Sequence, residues 1–144
     1  MLLGTYAPRL DDKGRLVLPA KYRDELAAGI VLTKGQDRCL VLWPAAEFES
    51  YAAGLNEASR SNAAARAYLR VLFSSASDQL PDKQGRITVS GELRAYAALE
   101  GDIVVAGNGS TCELWAPDSW QGYLLEQERA FSGLDEEVVP GLLR

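Results

Sequence analysis

The stretch LDDKGRLVLPAKYRDEL, residues 10–26, decides how this chain is read. A polar turn containing Gly14 leads into a short apolar run over residues 15–18, and Pro19 ends that run before a helical pattern. Turn chemistry accounts for two of these residues. Glycine supplies a positive φ, and an aspartate side chain bonds backbone a few residues on. It does not account for Arg15.

The stretch occurs twice. DDKGRLVLPAKYR (11–23) lies over DKQGRITVSGELR (82–94), so Asp11 meets Asp82, Gly14 meets Gly85, Arg15 meets Arg86 and Arg23 meets Arg94. Leu16 and Leu18 meet Ile87 and Val89, which keeps the apolar alternation of a strand in both copies. Further on, CLVLWP (39–44) falls near TCELWAP (111–117), with Trp43 over Trp115. The chain is two copies of one unit.

Each copy predicts the same order of elements. Extended segments over 2–6 and 75–80 lead through the glycine turns to strands over 15–18 and 86–89. Pro19 suits the first turn of a helix over 20–27, and Ser90 caps its counterpart over 91–98, with Gly29 and Gly101 as stops. Hairpins follow, 30–34 with 39–43 and 102–106 with 111–115, around GQDR and GNGS. Aromatic-striped helices close each copy: Phe48, Tyr51 and Leu55 share one face, Tyr68, Leu69 and Leu72 another, and Trp120, Tyr123, Leu124 and Phe131 a third. The expected layout is a first domain over 1–56, a connecting helix over 57–73, a second domain over 74–131 and an acidic tail over 132–144, mobile or weakly docked.

Composition narrows the function. Of 144 residues, 47% are hydrophobic and 24% charged, an ordinary globular balance. No apolar run approaches the roughly 20 residues of a membrane span, and the first residues lack the features of a signal peptide, which points to the cytosol. Histidine is absent, which removes the commonest general base and metal ligand. No nucleophile–base pair, metal cluster or phosphate loop accompanies the carboxylates, so neither an enzyme nor a cofactor is expected. Cys39 and Cys112 sit in apolar segments as buried thiols. The net charge of −5 is uneven: residues 1–38 carry seven positive side chains against five negative, while residues 100–144 carry nine negative against Arg129 and Arg144. Local field rather than total charge governs a polyanion partner.

Arg15 and Arg86 thus carry the signal that turn chemistry leaves over. An Asp four residues before an Arg can hold its guanidinium in place. GTYAPRLDDKGRLVLPAKYRDEL (4–26), with DKQGRITVSGELR (82–94), resembles the MraZ family over essentially the whole chain. The resemblance implies an α+β fold of two tandem AbrB-like swapped-hairpin β-barrel domains with flanking helices, assembled into a ring. It also implies a nucleoid-associated transcriptional regulator that binds double-stranded DNA at direct repeats in the promoter of its own division and cell-wall operon. Asp11, Gly14, Asp82 and Gly85 then shape the turns. Arg15, Lys13, Arg9, Lys21 and Arg23, with Arg86 and Lys83 of the second copy, contact DNA. Glu92 in place of Lys21 makes the second copy less basic, so less is expected of it. The competing expectation is an antitoxin-like or other protein-interaction module on the same fold.

Overall fold

The computed structural model of the chain describes residues 1–58, 62–134 and 138. In the first copy, β1 (Thr5–Tyr6) and the glycine turn precede β2 (Arg15–Val17). A 3-10 turn at Ala20–Tyr22 then leads into α1 (Arg23–Leu26), β3 (Ile30–Lys34), β4 (Leu40–Pro44) and α2 (Ala45–Ala58). The connecting helix α3 (Ala63–Ser75) hands over to β5 (Ser77–Gln79), β6 (Arg86–Thr88), α4 (Gly91–Ala97), β7 (Val104–Gly107), β8 (Cys112–Trp115) and α5 (Pro117–Ser132). The fold is α+β with antiparallel sheets, and no described helix is long and apolar enough to cross a membrane.

The strands are exchanged between copies. A six-stranded sheet runs β1-β7-β8-β4-β3-β5, so the first strand of each copy pairs with the hairpin of the other. The hairpins meet through β4 and β8, where Leu40 faces Leu114 and Leu42 faces Cys112. A separate two-stranded ribbon pairs β2 with β6. Both cross-copy pairs obey an approximate two-fold relation, since residues that match in the repeat exchange places across each ladder.

This topology follows from what each copy has to bury. Leu16, Leu18, Tyr22, Leu26 and Ile30 lie in one cluster with Ile87, Val89, Leu93, Leu99 and Ile103. A half of this length has a marginal core alone, and sharing strands merges two such cores into one. The repeats are units of sequence, whereas the core is single. Halves too small to fold separately are therefore completed within the chain, and no further subunit is required for that purpose.

Local chemistry explains most element ends. Asn62 accepts from the Ala65 amide at 3.1 Å and Ser90 from Leu93 at 3.3 Å, the two side-chain caps that start α3 and α4. Gly101 does not end α4. The helix stops at Ala98, which takes a left-handed φ of 53°, while Leu99 N–H reaches back to the Arg94 carbonyl at 2.9 Å and Ala98 N–H to Ala95 at 3.3 Å. This pair of bonds is the common helix stop that usually carries glycine, and the buried Leu99 holds it shut. The GQDR hairpin likewise tightens into a 3-10 turn at Gln36–Arg38, with Asp37 and Arg38 both at φ 59°. The sequence expectations for 59–61, 135–137 and 139–144 lie outside the described residues.

The closing helices differ between copies. Beside the first hairpin, Trp43 stacks on Tyr51 at 4.9 Å and meets Phe48 edge-on at 5.4 Å, and Phe48 meets Phe73 of α3 at 6.0 Å. Beside the second, Trp115 meets Trp120 and Tyr123 at 5.4 and 5.1 Å, and α5, like the described side chains of α2, buries no residue fully, whereas α3 adds buried Leu69 and Leu72 to the first copy.

The stop at Ala98 generates a stability prediction. A left-handed alanine costs about 1–2 kcal/mol, of which glycine recovers part while raising the entropy of the unfolded chain. Ala98→Gly should stabilise the protein by about 0.5–1 kcal/mol in denaturant unfolding.

Candidate nucleic-acid interface

The two glycine turns are built alike. In the first, Asp11 Oδ1 accepts the Lys13 and Arg15 amides at 2.9 and 2.8 Å, while Oδ2 accepts Arg15 Nε at 2.7 Å. In the second, Asp82 Oδ1 accepts the Gln84 and Arg86 amides, both at 2.9 Å, and Oδ2 accepts Arg86 Nε at 2.7 Å. One carboxylate thus closes the turn and clamps the guanidinium. Because the clamp uses Nε, the terminal Nη edge is what each arginine offers outward, and that edge matches guanine O6 and N7.

Glycine is required at Gly14 and Gly85 for two reasons. Their φ values are +76° and +75°, in the left-handed region, and each has an arginine of the other copy laid over it. A Cβ at Gly85 would stand 2.6 Å from Arg23 Nε, and one at Gly14 would stand 3.2 Å from Arg94 Nε and 2.9 Å from the Val89 carbonyl. Arg23 Nε donates to the Leu18 carbonyl at 3.3 Å, and Arg94 Nε to Val89 at 3.1 Å. Arg23, expected at a phosphate, thus also braces the opposite turn. Arg94 does the same and was not singled out, although the repeat aligns it with Arg23.

The ribbon brings both clamps to one face. Leu18 N–H bonds Gly85 O and Val89 N–H bonds Gly14 O, both at 2.8 Å, which locks β2 against β6. Leu16 and Ile87 point inward and are buried, so alternation sends Arg15, Val17, Arg86 and Thr88 outward together. Register sets Arg15 opposite Thr88 and Val17 opposite Arg86. A two-stranded ribbon of this kind fits the major groove.

The other expected contacts are exposed as well. Lys13 and Lys83 are exposed in the two turns, and Lys21 is exposed on the 3-10 turn after Pro19. Arg9 is exposed but ion-paired with Asp102 at 2.5 Å, so its charge is already matched. Glu92, the reason to expect less of the second copy, pairs with Lys34 at 3.2 Å. Among the described residues, no cluster of His, Cys, Asp and Glu could hold a metal ion.

Both clamping carboxyls are acidified. The Arg15 amide is the main reason that Asp11 lies below its ordinary value, opposed by partial desolvation and aided by the Arg15 side chain and the Lys13 amide. For Asp82 the Arg86 amide leads, followed by the Arg86 side chain. A lowered folded-state pKa stabilises above the ordinary carboxylate value, and that stabilisation is lost as pH falls through the lowered one. Wild-type stability should therefore hold at neutral pH and fall below about pH 4. In Asp11→Asn/Asp82→Asn, which keeps the amide acceptor but not the charge, the acid limb of a stability–pH curve should be shallower. Gly14→Ala should cost at least ~2 kcal/mol, from strained φ plus the contact with Val89.

The family model described as MraZ protein, antitoxin-like, matches twice, over residues 1–71 and 72–139. A protein of Salinispora arenicola named Transcriptional regulator MraZ is 56% identical over 142 residues, covering 99% of this chain and 100% of that protein. Proteins of the same name from Micrococcus luteus and Thermobifida fusca are each 54% identical over 99% of this chain, which covers 99% and 100% of them. With both repeats matched and relatives aligned end to end, the chain belongs to the MraZ family.

Proposed function

We propose that the chain is a sequence-specific DNA-binding transcriptional regulator that inserts the β2–β6 ribbon into the major groove. It belongs to a family of transcriptional regulators and is not an enzyme. One observation carries the reading: two arginines from distant parts of the chain stand on one ribbon face, each held through Nε by its own carboxylate. Structural stability does not call for that arrangement, since exposed ion pairs contribute only about 0–1 kcal/mol. Base readout does call for it, because an arginine ordered before binding loses less entropy on pairing with guanine. Lys13, Lys83 and Lys21, with Arg9 and Arg23, supply phosphate contacts around the reading pair.

A single ribbon covers few base pairs, so affinity comes from several ribbons acting together on evenly spaced direct repeats in the promoter of the chain's own division and cell-wall operon. A ring of subunits provides them. The exposed apolar residues of α5 support assembly: Leu125 and Phe131 are 59% and 78% exposed, and no counterpart of α3 packs beside Trp120 as Phe73 packs beside Phe48 among the described residues. Such apolar exposure marks a contact surface. On this reading the protein works in the cytoplasm, at the nucleoid.

Band shifts with duplex DNA from upstream of the chain's own gene test the reading. Arg15→Ala and Arg86→Ala should each abolish specific binding while fold and assembly persist, since every subunit loses ~1–3 kcal/mol of discrimination. The matched clamps predict that the two losses are comparable. Lys13→Ala should weaken binding to all sequences alike and flatten its salt dependence. Wild-type affinity in Arg15→Ala would refute the assignment. Assembly has its own test: Phe131→Glu should shift sedimentation from a multi-subunit species toward the 15.6 kDa chain.

A further inference from the structure

The outer face of the ribbon holds four side chains, and two of them remain without a role. Val17 is 43% exposed, between charged neighbours on a face where an apolar group gains nothing from folding. Its match in the repeat is Thr88, also exposed, with nearly the same shape but a hydroxyl in place of one methyl. Strand propensity does not choose between them, because valine and threonine both suit strands.

Register places these two residues at the centre of the face. Val17 stands opposite Arg86, and Thr88 opposite Arg15. The locking bonds at Leu18–Gly85 and Gly14–Val89 fall two residues to either side of Leu16–Ile87. Arg15–Thr88 and Val17–Arg86 are therefore the close pairs of the ladder, with Cα atoms about 4.5 Å apart and side chains packed side by side. A base contacted by either arginine has Val17 or Thr88 next to it. Gln79 also grips Thr88, donating to its carbonyl at 2.9 Å and accepting its amide at 2.8 Å, which fixes the second strand in place.

We infer that Val17 and Thr88 are specificity-determining contacts: Val17 packs on the 5-methyl of a thymine beside the guanine read by an arginine, and Thr88 takes the related step through its hydroxyl. The inference rests on the ribbon being the DNA-reading element. The chemistry is that of the groove, where the thymine methyl is the one apolar group on a base edge and a hydroxyl pairs with either donor or acceptor edges. The consequence is directional. The arginines are matched by the two-fold relation and alone would read a palindrome. Val17 and Thr88 break that match, so the ribbon distinguishes the two orientations of its site.

The test selects duplexes from a randomised library with the full-length protein, then measures affinity for the selected duplex with single thymines replaced by deoxyuridine, which lacks only the methyl. The wild type should lose about fourfold at one thymine next to a selected guanine, the effect of one buried methyl group. Val17→Thr, which keeps one of the two methyls, should distinguish thymine from deoxyuridine less than the wild type there, yet retain the guanine preference. Thr88→Val should acquire a methyl preference at the related position, making the selected site more nearly palindromic. Both variants should melt with the wild type, since neither side chain is buried. Deoxyuridine tolerated at every position, or a Val17→Thr preference identical to that of the wild type, overturns the inference while leaving the arginine reading intact. Failure of that reading looks different: Arg15→Ala would then select the same duplexes as the wild type, and the inference falls with it.

Discussion

The pairing of Leu16 with Ile87 is the contact on which the rest of the molecule turns. Neither β2 nor β6 has a strand partner in its own copy, and three residues are too few to persist alone. Joined across the repeats, they bury Leu16 and Ile87 against the shared core and turn the alternate residues outward. The same ladder brings Gly14 against the second copy and Gly85 against the first, each under an arginine from the other side. Core formation and display of the proposed reading face are thus one event. A register slip of one residue would turn Arg15 and Arg86 inward and Leu16 and Ile87 into water.

The carboxylate clamps reconcile the proposed DNA-reading face with a chain of net charge −5. Pairing each arginine with an aspartate removes much of its long-range field, so the ribbon attracts phosphate weakly but presents an ordered donor edge. Affinity for arbitrary DNA depends on long-range charge, whereas base discrimination depends on position at short range. On the proposed reading, Lys13, Lys83 and Lys21, which lie outside the clamps, would carry the general attraction. Arg9 adds less, because Asp102 already matches it. The proposed division of labour is between residues ordered to read and residues charged to hold.

The repeat is closest to symmetric at the ribbon and least so at the periphery. Trp43 Nε1 donates to Thr33 Oγ1 at 3.1 Å in the first copy, while Trp115 Nε1 donates to Glu113 Oε1 at 3.0 Å in the second. The first hairpin is covered by a pair of helices and the second by α5 alone. A chain whose two halves close one core yet leave unequal outer faces has a like end and an unlike end. In the proposed ring, these unequal outer faces would meet head to tail.

The duplication, the glycine turns, the hairpins and the motif pair were all legible in the sequence. They depend on local rules: side-chain acceptors that close turns, glycine at positive φ, alternation along strands, and caps such as Ser90. The clamp was legible too, as an aspartate four residues before an arginine. What sequence could not decide was which copy each strand serves. An antiparallel ladder within a copy and one between copies make the same backbone bonds and satisfy the same alternation. Only the burial of both apolar sets in one cluster selects the exchanged pairing. The bracing of each turn by Arg23 and Arg94, the pairing of Glu92 with Lys34, and the meeting of Arg15 with Arg86 on one face all follow from that choice. These contacts join residues far apart in the chain, and no local rule relates residues that only a shared core brings together.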